Sequence, residues 1–168
     1  MSKIDIILLS PKLNKIQAYL GNDTLIIDFD FKNMDGELQH IISHDSKGHL
    51  LEGEKEYKLH LPSDIPASDF WSVIVYDPLS RLIIHTDQPW PSVYSSNKNL
   101  VYNKDGSVDA WFGPKSIEGK ENNWVKTIPG KKWYAILRLY YPLESWFDRT
   151  WSPGEIELLA NMTEYIIR

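Results

Sequence analysis

From Trp133 to Tyr140 the chain is apolar at nearly every position. As a strand, this run places Trp133, Ala135, Leu137 and Leu139 on one face and Tyr134, Ile136, Arg138 and Tyr140 on the other. Shorter alternating runs precede it. Leu25 to Phe31 sets Ile27, Phe29 and Phe31 against Asp28 and Asp30, and Leu38 to His44 follows the turn signal Asp35-Gly36, so the two predict a hairpin. Tyr57, Leu59 and Leu61 alternate with Lys58 and His60. Phe70 to Tyr76 is apolar almost throughout, as a strand covered on both faces would be, and ends at the turn signal Asp77-Pro78. Leu82 to Thr86 and Val108 to Phe112 predict two more strands, the second entered through the turn Asn103-Lys104-Asp105-Gly106. Residues 62–68, the Pro-, Ser- and Asn-rich stretch after Thr86, and residues 113–123 read as loops.

Helical spacing is confined to the ends. Ser10-Pro11, then Leu13, Ile16 and Leu20, then Gly21, predict a short helix over residues 11–20. Ser152-Pro153-Gly154-Glu155 carries a capping box ahead of Ile156, Leu159, Ala160 and Thr163, which predicts a C-terminal helix. Short strands with closely spaced turn signals, and no helices between them to make crossovers, predict an all-β, antiparallel β-sandwich carrying these two helices.

At 168 residues the chain suits one globule. Residues 1–44 form a helix and hairpin belonging to it, and 45–168 form the sandwich with its C-terminal helix. With 18 Lys and Arg against 23 Asp and Glu, the net charge is −5 and basic residues gather nowhere, which argues against nucleic acid as a partner. There is no cysteine, so disulfides, thiolate metal sites and a cysteine nucleophile are excluded. The apolar residues 4–9 are too short for a signal core and contain Asp5, and no later segment approaches a membrane span. A cytoplasmic protein with no membrane contact is expected, which makes the sequons at Asn22 and Asn161 accidental. Seven Trp, nine Tyr and five Phe are an unusual richness that also suits a carbohydrate or lipophile pocket, although packing is their default use.

Arg138 is the most informative polar residue. A guanidinium within an apolar strand must snorkel, pair with a carboxylate or meet an anionic ligand, since an unpaired buried charge costs several kcal/mol, by order of magnitude. Asp77, Asp109 and Asp148 are the candidate structural partners. The functional reading sets Arg138 among Tyr134, Tyr140 and one or more Trp, where it would hold a carboxylate or sulfate. Asp77, Asp105 and Asp109 contain a candidate acid–base pair, but Asp before Pro or Gly is also ordinary turn chemistry. Asn103, Asp105, Ser107 and Asp109 alternate like calcium ligands but lack a terminal acidic ligand, which favours a plain turn. His40, His44 and His49 lie on or near a strand, where four-residue spacing is not a zinc signature. His85 lies near Asp87, without a Gly-x-Ser-x-Gly elbow to supply a nucleophile.

Several short motifs occur in order: Asp45-Ser46-Lys47-Gly48, Leu51-Glu52-Gly53 before Tyr57, Phe70-Trp71-Ser72 with Tyr76-Asp77, Asp105-Gly106-Ser107, Glu121-Asn122-Asn123-Trp124, Leu137-Arg138-Leu139-Tyr140 and Thr150-Trp151. In these the chain resembles the domain of unknown function 1214 family over roughly residues 45–157. That family is usually the C-terminal module of bacterial two-domain proteins whose other half is domain of unknown function 1254. The resemblance implies a jelly-roll-like sandwich and no settled activity. Only about 45 residues precede the match, so a standalone member is expected, its N-terminal elements covering the face a partner domain would take or building a dimer interface.

The expected function is a noncatalytic module for a small or carbohydrate-like ligand or a protein partner, with a hydrolase acting on an anionic small molecule held by Arg138 as the alternative. The expected ligand-binding residues are Arg138, Tyr134, Tyr140, Trp124, Asp77 and Asp109. No catalytic residue is assigned, and no cofactor or metal is expected. A small-molecule ligand, a second copy of the chain and a separate partner domain all remain open as partners.

Overall fold

The computed structural model describes residues 13–21, 24–31 and 37–159. Outside these lie the apolar residues 4–9, the helix start at Ser10-Pro11, the Asp35-Gly36 turn and everything beyond Leu159. Among the described residues the chain is mostly β. The strands are β1 (Leu13–Gly21), β2 (Thr24–Phe31), β3 (Glu37–Ile42), β4 (Tyr57–Leu61), β5 (Trp71–Tyr76), β6 (Ser92–Tyr94), β7 (Val108–Gly113), β8 (Trp124–Lys126), β9 (Tyr134–Tyr140) and β10 (Ile156–Leu158). Among the described residues helix is limited to the single turn α1 (Glu144–Phe147) and a 3₁₀ turn at Glu121–Asn123.

Two four-stranded sheets carry the core, one ordered β3-β9-β5-β6 and the other β10-β4-β7-β8. The alternation read from sequence decides which side chains enter. In the first sheet Ala135, Leu137 and Leu139 of β9 stand opposite Val75, Val73 and Trp71 of β5, all buried. In the second, Leu59 and Leu61 of β4 stand opposite Ala110 and Val108 of β7, also buried. These rows meet in one cluster, each fully buried aliphatic side chain contributing about 1.5–3 kcal/mol of transfer free energy. Trp133, just before β9, joins the layers: its ring meets Tyr57 edge-on at 5.6 Å and lies tilted on Phe112 at 4.9 Å.

The pairing departs from expectation in five places. First, residues 13–21 are strand rather than helix. Their apolar spacing also alternates at Ile16, Ala18 and Leu20, and the ladder from Gly21↔Thr24 to Leu13↔Phe31 pairs backbone groups that a short isolated helix would hold only marginally. Second, the hairpin is therefore β1 with β2. β3 instead lies antiparallel on β9, from Glu37↔Tyr140 to Ile42↔Ala135. Third, the capping box does not start a helix within the described residues. Ile156–Leu158 pairs with Leu59–Tyr57 and buries Ile156 completely, so a sheet edge and a core position override the local cap. The rest of that expected helix lies outside the described residues. Fourth, residues 82–86 are not a strand. Asp77 accepts hydrogen bonds from the amides of Leu79 and Ser80, Arg81 takes φ 60°, and only a bridge between Tyr76 and Ile83 follows. The neighbouring edge of β5 goes to β6, which its Pro- and Ser-rich context concealed. Fifth, the sheets are not wholly antiparallel, since β8 lies parallel to β7.

Gly53 is required by close approach. A Cβ there would lie 1.9 Å from the Ile128 carbonyl oxygen. No helix among the described residues is long and apolar enough to cross a membrane.

Candidate functional site

The outer face of the first sheet is aromatic around one arginine. Alternation turns Tyr134, Ile136, Arg138 and Tyr140 away from the core, and register sets Ser72 beside Arg138 and Tyr76 beside Tyr134. Arg138 donates from Nη2 to the Tyr76 hydroxyl at 2.6 Å, with its guanidinium 5.9 Å from that ring. Tyr76 stacks on Tyr134 at 5.4 Å and 18°. At the other end Phe70 meets Tyr140 edge-on at 5.5 Å and Tyr94 at 6.4 Å. Burial, with Tyr76 adding to it, raises the Tyr134 hydroxyl above its ordinary pKa and keeps it protonated at neutral pH. Ser72 is only 3% exposed, and its hydroxyl has no hydrogen-bond partner among the described residues. An orphaned buried hydroxyl is uncommon and calls for a reason.

The carboxylates proposed as partners of Arg138 are committed elsewhere. Asp77 ends β5 and caps its own turn; the Ser80 and Leu79 amides, followed by Lys131 at 3.5 Å, hold its pKa below the ordinary value. Asp148 accepts from the Thr150 amide and hydroxyl at 2.9 and 2.7 Å. Asp109 lies on β7, in the other sheet.

The six expected ligand residues therefore fall into two groups. Arg138, Tyr134 and Tyr140 share the first sheet's outer face, with Asp77 at its edge. Asp109 and Trp124 belong to the opposite sheet, and packed sheets stand about 10 Å apart. Trp124 pairs with Trp111 across β7 and β8 and donates from its indole to the Gly113 carbonyl at 3.2 Å. The side-chain amide of Gln88 completes this edge, donating to the Trp124 carbonyl and accepting from the Lys126 amide, both at 2.9 Å.

Asp109 has a partner that sequence reasoning missed. His60 stands opposite it in register, with Nδ1 2.7 Å from Oδ1. The only signal in the sequence is that His60 alternates out of β4, which does not name its partner 49 residues away. The residues with calcium-like spacing also converge here, but as a hydrogen-bonded chain. Asn103 turns its amide nitrogen inward to Ser107 and Asp109, and Ser107 donates to Asp105 at 2.6 Å, so a donor sits where a cation would need an acceptor. The Ser107 hydroxyl and then its amide hold Asp105 below the ordinary carboxylate pKa.

The remaining histidines diverge. His40 meets Trp146 edge-on at 5.6 Å, His44 lies 3.1 Å from the Ser43 hydroxyl, and His49 pairs with Asp45 at 3.4 Å. Burial lowers the His44 pKa against the pull of Asp45. Asp87 takes Lys126 at 2.7 Å as its ion-pair partner.

Comparison with known proteins places this fold. The VPA0106 protein from Vibrio parahaemolyticus superposes with a TM-score of 0.63 at 24% identity, covering 74% of this chain and 31% of that one. An uncharacterised protein from Burkholderia cenocepacia gives a TM-score of 0.42 at 18% identity, covering 74% of this chain and 34% of its own. The chain spans about a third of the length of these two structures. No curated protein matches it. The sequence profile described as protein of unknown function DUF1214 matches residues 36–144, from the start of β3 through the end of β9, and the chain belongs to that family.

Proposed function

We propose that this domain is a noncatalytic binding module whose ligand surface is the outer face of the first sheet, and that its ligand is a small ring-bearing molecule with an anionic group directed at Arg138. The half-buried row Tyr134, Arg138 and Tyr140 on β9 carries the reading, since it sets a guanidinium, whose fork suits a carboxylate, between two ring surfaces. The Tyr76–Tyr134 pair on one side and Phe70 with Tyr140 on the other offer ring surfaces for the remainder of the ligand. Binding is favoured over turnover because Asp77 is committed to two amides and Lys131, and Asp109 lies across the sandwich from Arg138. The chain's repeated passage between sheets, from β3 to β4 to β5 and from β8 to β9 to β10, supports a jelly-roll-like description of the scaffold.

The test is a thermal-shift screen of benzoate, phenylacetate, alkyl sulfates and neutral sugars on wild type and on Tyr140→Ala, with Arg138→Ala alongside. A bound acid raises the midpoint by mass action. Tyr140→Ala, at a half-buried position, is expected to fold and to lose most of the ligand-induced shift. An identical shift in Tyr140→Ala, or no shift from any acid in wild type, refutes the reading.

A further inference from the structure

The opposite outer face holds a second, differently built arrangement, independent of Arg138. In the β4–β7 register His60 faces Asp109 and Lys58 faces Trp111, while β8 brings Trp124 beside Trp111. All five side chains are only partly buried. The Asp109 carboxylate is held at both oxygens, Oδ1 by His60 Nδ1 at 2.7 Å and Oδ2 by the Asn103 amide at 3.1 Å. Asn103 is in turn fixed by Ser107 at 3.0 Å, and Ser107 by Asp105.

An ionised carboxylate can only accept, so the imidazole proton facing it sits on Nδ1. In the neutral ring, Nε2 then carries the lone pair. The ordering groups lie inward of the group they order, with the Asp109 side chain 22% exposed and that of His60 43%. The flank of His60 is kept narrow by Gly154, whose amide donates to the His60 carbonyl at 2.8 Å. A Cβ at position 154 would meet that oxygen at 2.8 Å. The face of Trp111 admits a charged group from solvent, since the Lys120 ammonium stands 5.3 Å from the ring centre. On this face Lys58 lies 3.6 Å from Glu157, and both Asp109 oxygens are already engaged, one by His60 and the other by Asn103.

We propose that this face binds a neutral saccharide, with a sugar ring laid on Trp111 and a hydroxyl donated to Nε2 of His60. An indole platform beside a directional acceptor, with both oxygens of the neighbouring carboxylate already engaged, suits a ligand that has apolar C–H faces and many hydroxyls. Asp109 is a positioning residue here, acting through the tautomer of His60. In Asp109→Asn the side-chain amide can donate to Nδ1, which moves the ring proton to Nε2 and replaces the acceptor with a donor.

The experiment titrates the full chain with cellohexaose, xylohexaose, chitohexaose and maltohexaose and follows tryptophan fluorescence. Nitrogen-15 NMR reads the His60 tautomer in parallel. At least one hexasaccharide is expected to bind wild type and Arg138→Ala alike. Trp111→Ala and Asp109→Asn should each weaken it by about tenfold or more, as loss of one stacking platform or one directional hydrogen bond in a desolvated contact does. Asp109→Asn should also switch the tautomer while the fold persists. Overturning results are the absence of binding by all four sugars, unchanged affinity in Trp111→Ala or Asp109→Asn, or loss of binding in Arg138→Ala. The last would place the sugar on the first sheet.

Discussion

Removing the Asn123 side-chain amide tests how the second sheet is held at the end of β7. Asn123 is 4% exposed and ends the 3₁₀ turn before β8. Its Oδ1 accepts from the Val101 amide at 2.9 Å, and its Nδ2 donates to the Val101 carbonyl at 2.8 Å and the Asp109 carbonyl at 3.0 Å. The side chain thus stands in for a strand, tying the 101 segment to β7 beyond the last backbone pair with β8. Asn123→Ala deletes all three bonds. Val101 is 49% exposed, so water can recover its two groups in part, whereas the Asp109 carbonyl lies within the sheet. Three neutral bonds at about 0.5–1.5 kcal/mol each, reduced by that recovery and increased by one stranded carbonyl, give a loss of about 2–4 kcal/mol. For a chain of this size that corresponds to a fall in Tm of roughly 5–12 °C. Urea unfolding followed by tryptophan fluorescence should show a lower midpoint at an unchanged m value. Asn123→Asp should do no better, because it keeps the acceptor for Val101 but turns an oxygen toward two carbonyls. A loss below about 0.5 kcal/mol in Asn123→Ala would refute the strand-substitute role, since it falls under the value of even one such bond.

Gly53→Ala is expected to reduce stability by more than about 3 kcal/mol or abolish soluble expression, because the new methyl would enter the Ile128 backbone, which cannot turn aside as a side chain can. Gly48→Ala, with open space around it and φ 81°, should cost only about 1–2 kcal/mol, and equal midpoints for the two variants would contradict the contact argument. Hydrogen bonds from Lys132 and then Lys55 hold Glu52 at a pKa of about 2, against an ordinary 4.5. A depressed carboxylate pKa stabilises the fold above the unfolded value, and that stability is lost as pH falls from about 4.5 toward 2. Both lysines are nearly half exposed, so screening reduces the contribution to about 1 kcal/mol. Glu52→Gln should flatten the stability profile in that window in pH-dependent urea unfolding, and an unchanged acid limb would count against the pairing.

Strand content and facing were legible where alternation was strong. In β9, Leu137 and Leu139 are buried and Tyr134 and Arg138 half-buried, in the expected phase, although Ile136 on the second face is buried too. The buried run of β5 and the Asp77 turn were equally clear. Motifs recognised as family signature acquire physical roles in the fold: Leu51-Glu52-Gly53 combines a buried leucine, a lysine-bound carboxylate and a glycine pressed against Ile128, and Asn123 is the strand substitute. The ends misled because their apolar spacing fits both periods over a few residues, and capping chemistry carries no information about a sheet edge waiting elsewhere. Residues 82–86 misled for the converse reason. Their composition suits a strand, but the Asp77 turn leaves Leu82 68% exposed.

The candidate surfaces follow the same division. The sequence by itself put Arg138 on one face of its strand with Tyr134 and Tyr140, and His60 on the polar phase of an alternating one. It also determined the family, through short motifs spread over most of the matched region. Only the tertiary structure decided that Asp109 belongs to His60 rather than Arg138, that Ser72 lies beside Arg138, and that Trp124 and Tyr134 occupy opposite outer faces. Alternation assigns a residue to one side of its own strand, whereas partners across a sheet are set by register between segments tens of residues apart. That register is chosen by which pairing fills the shared core.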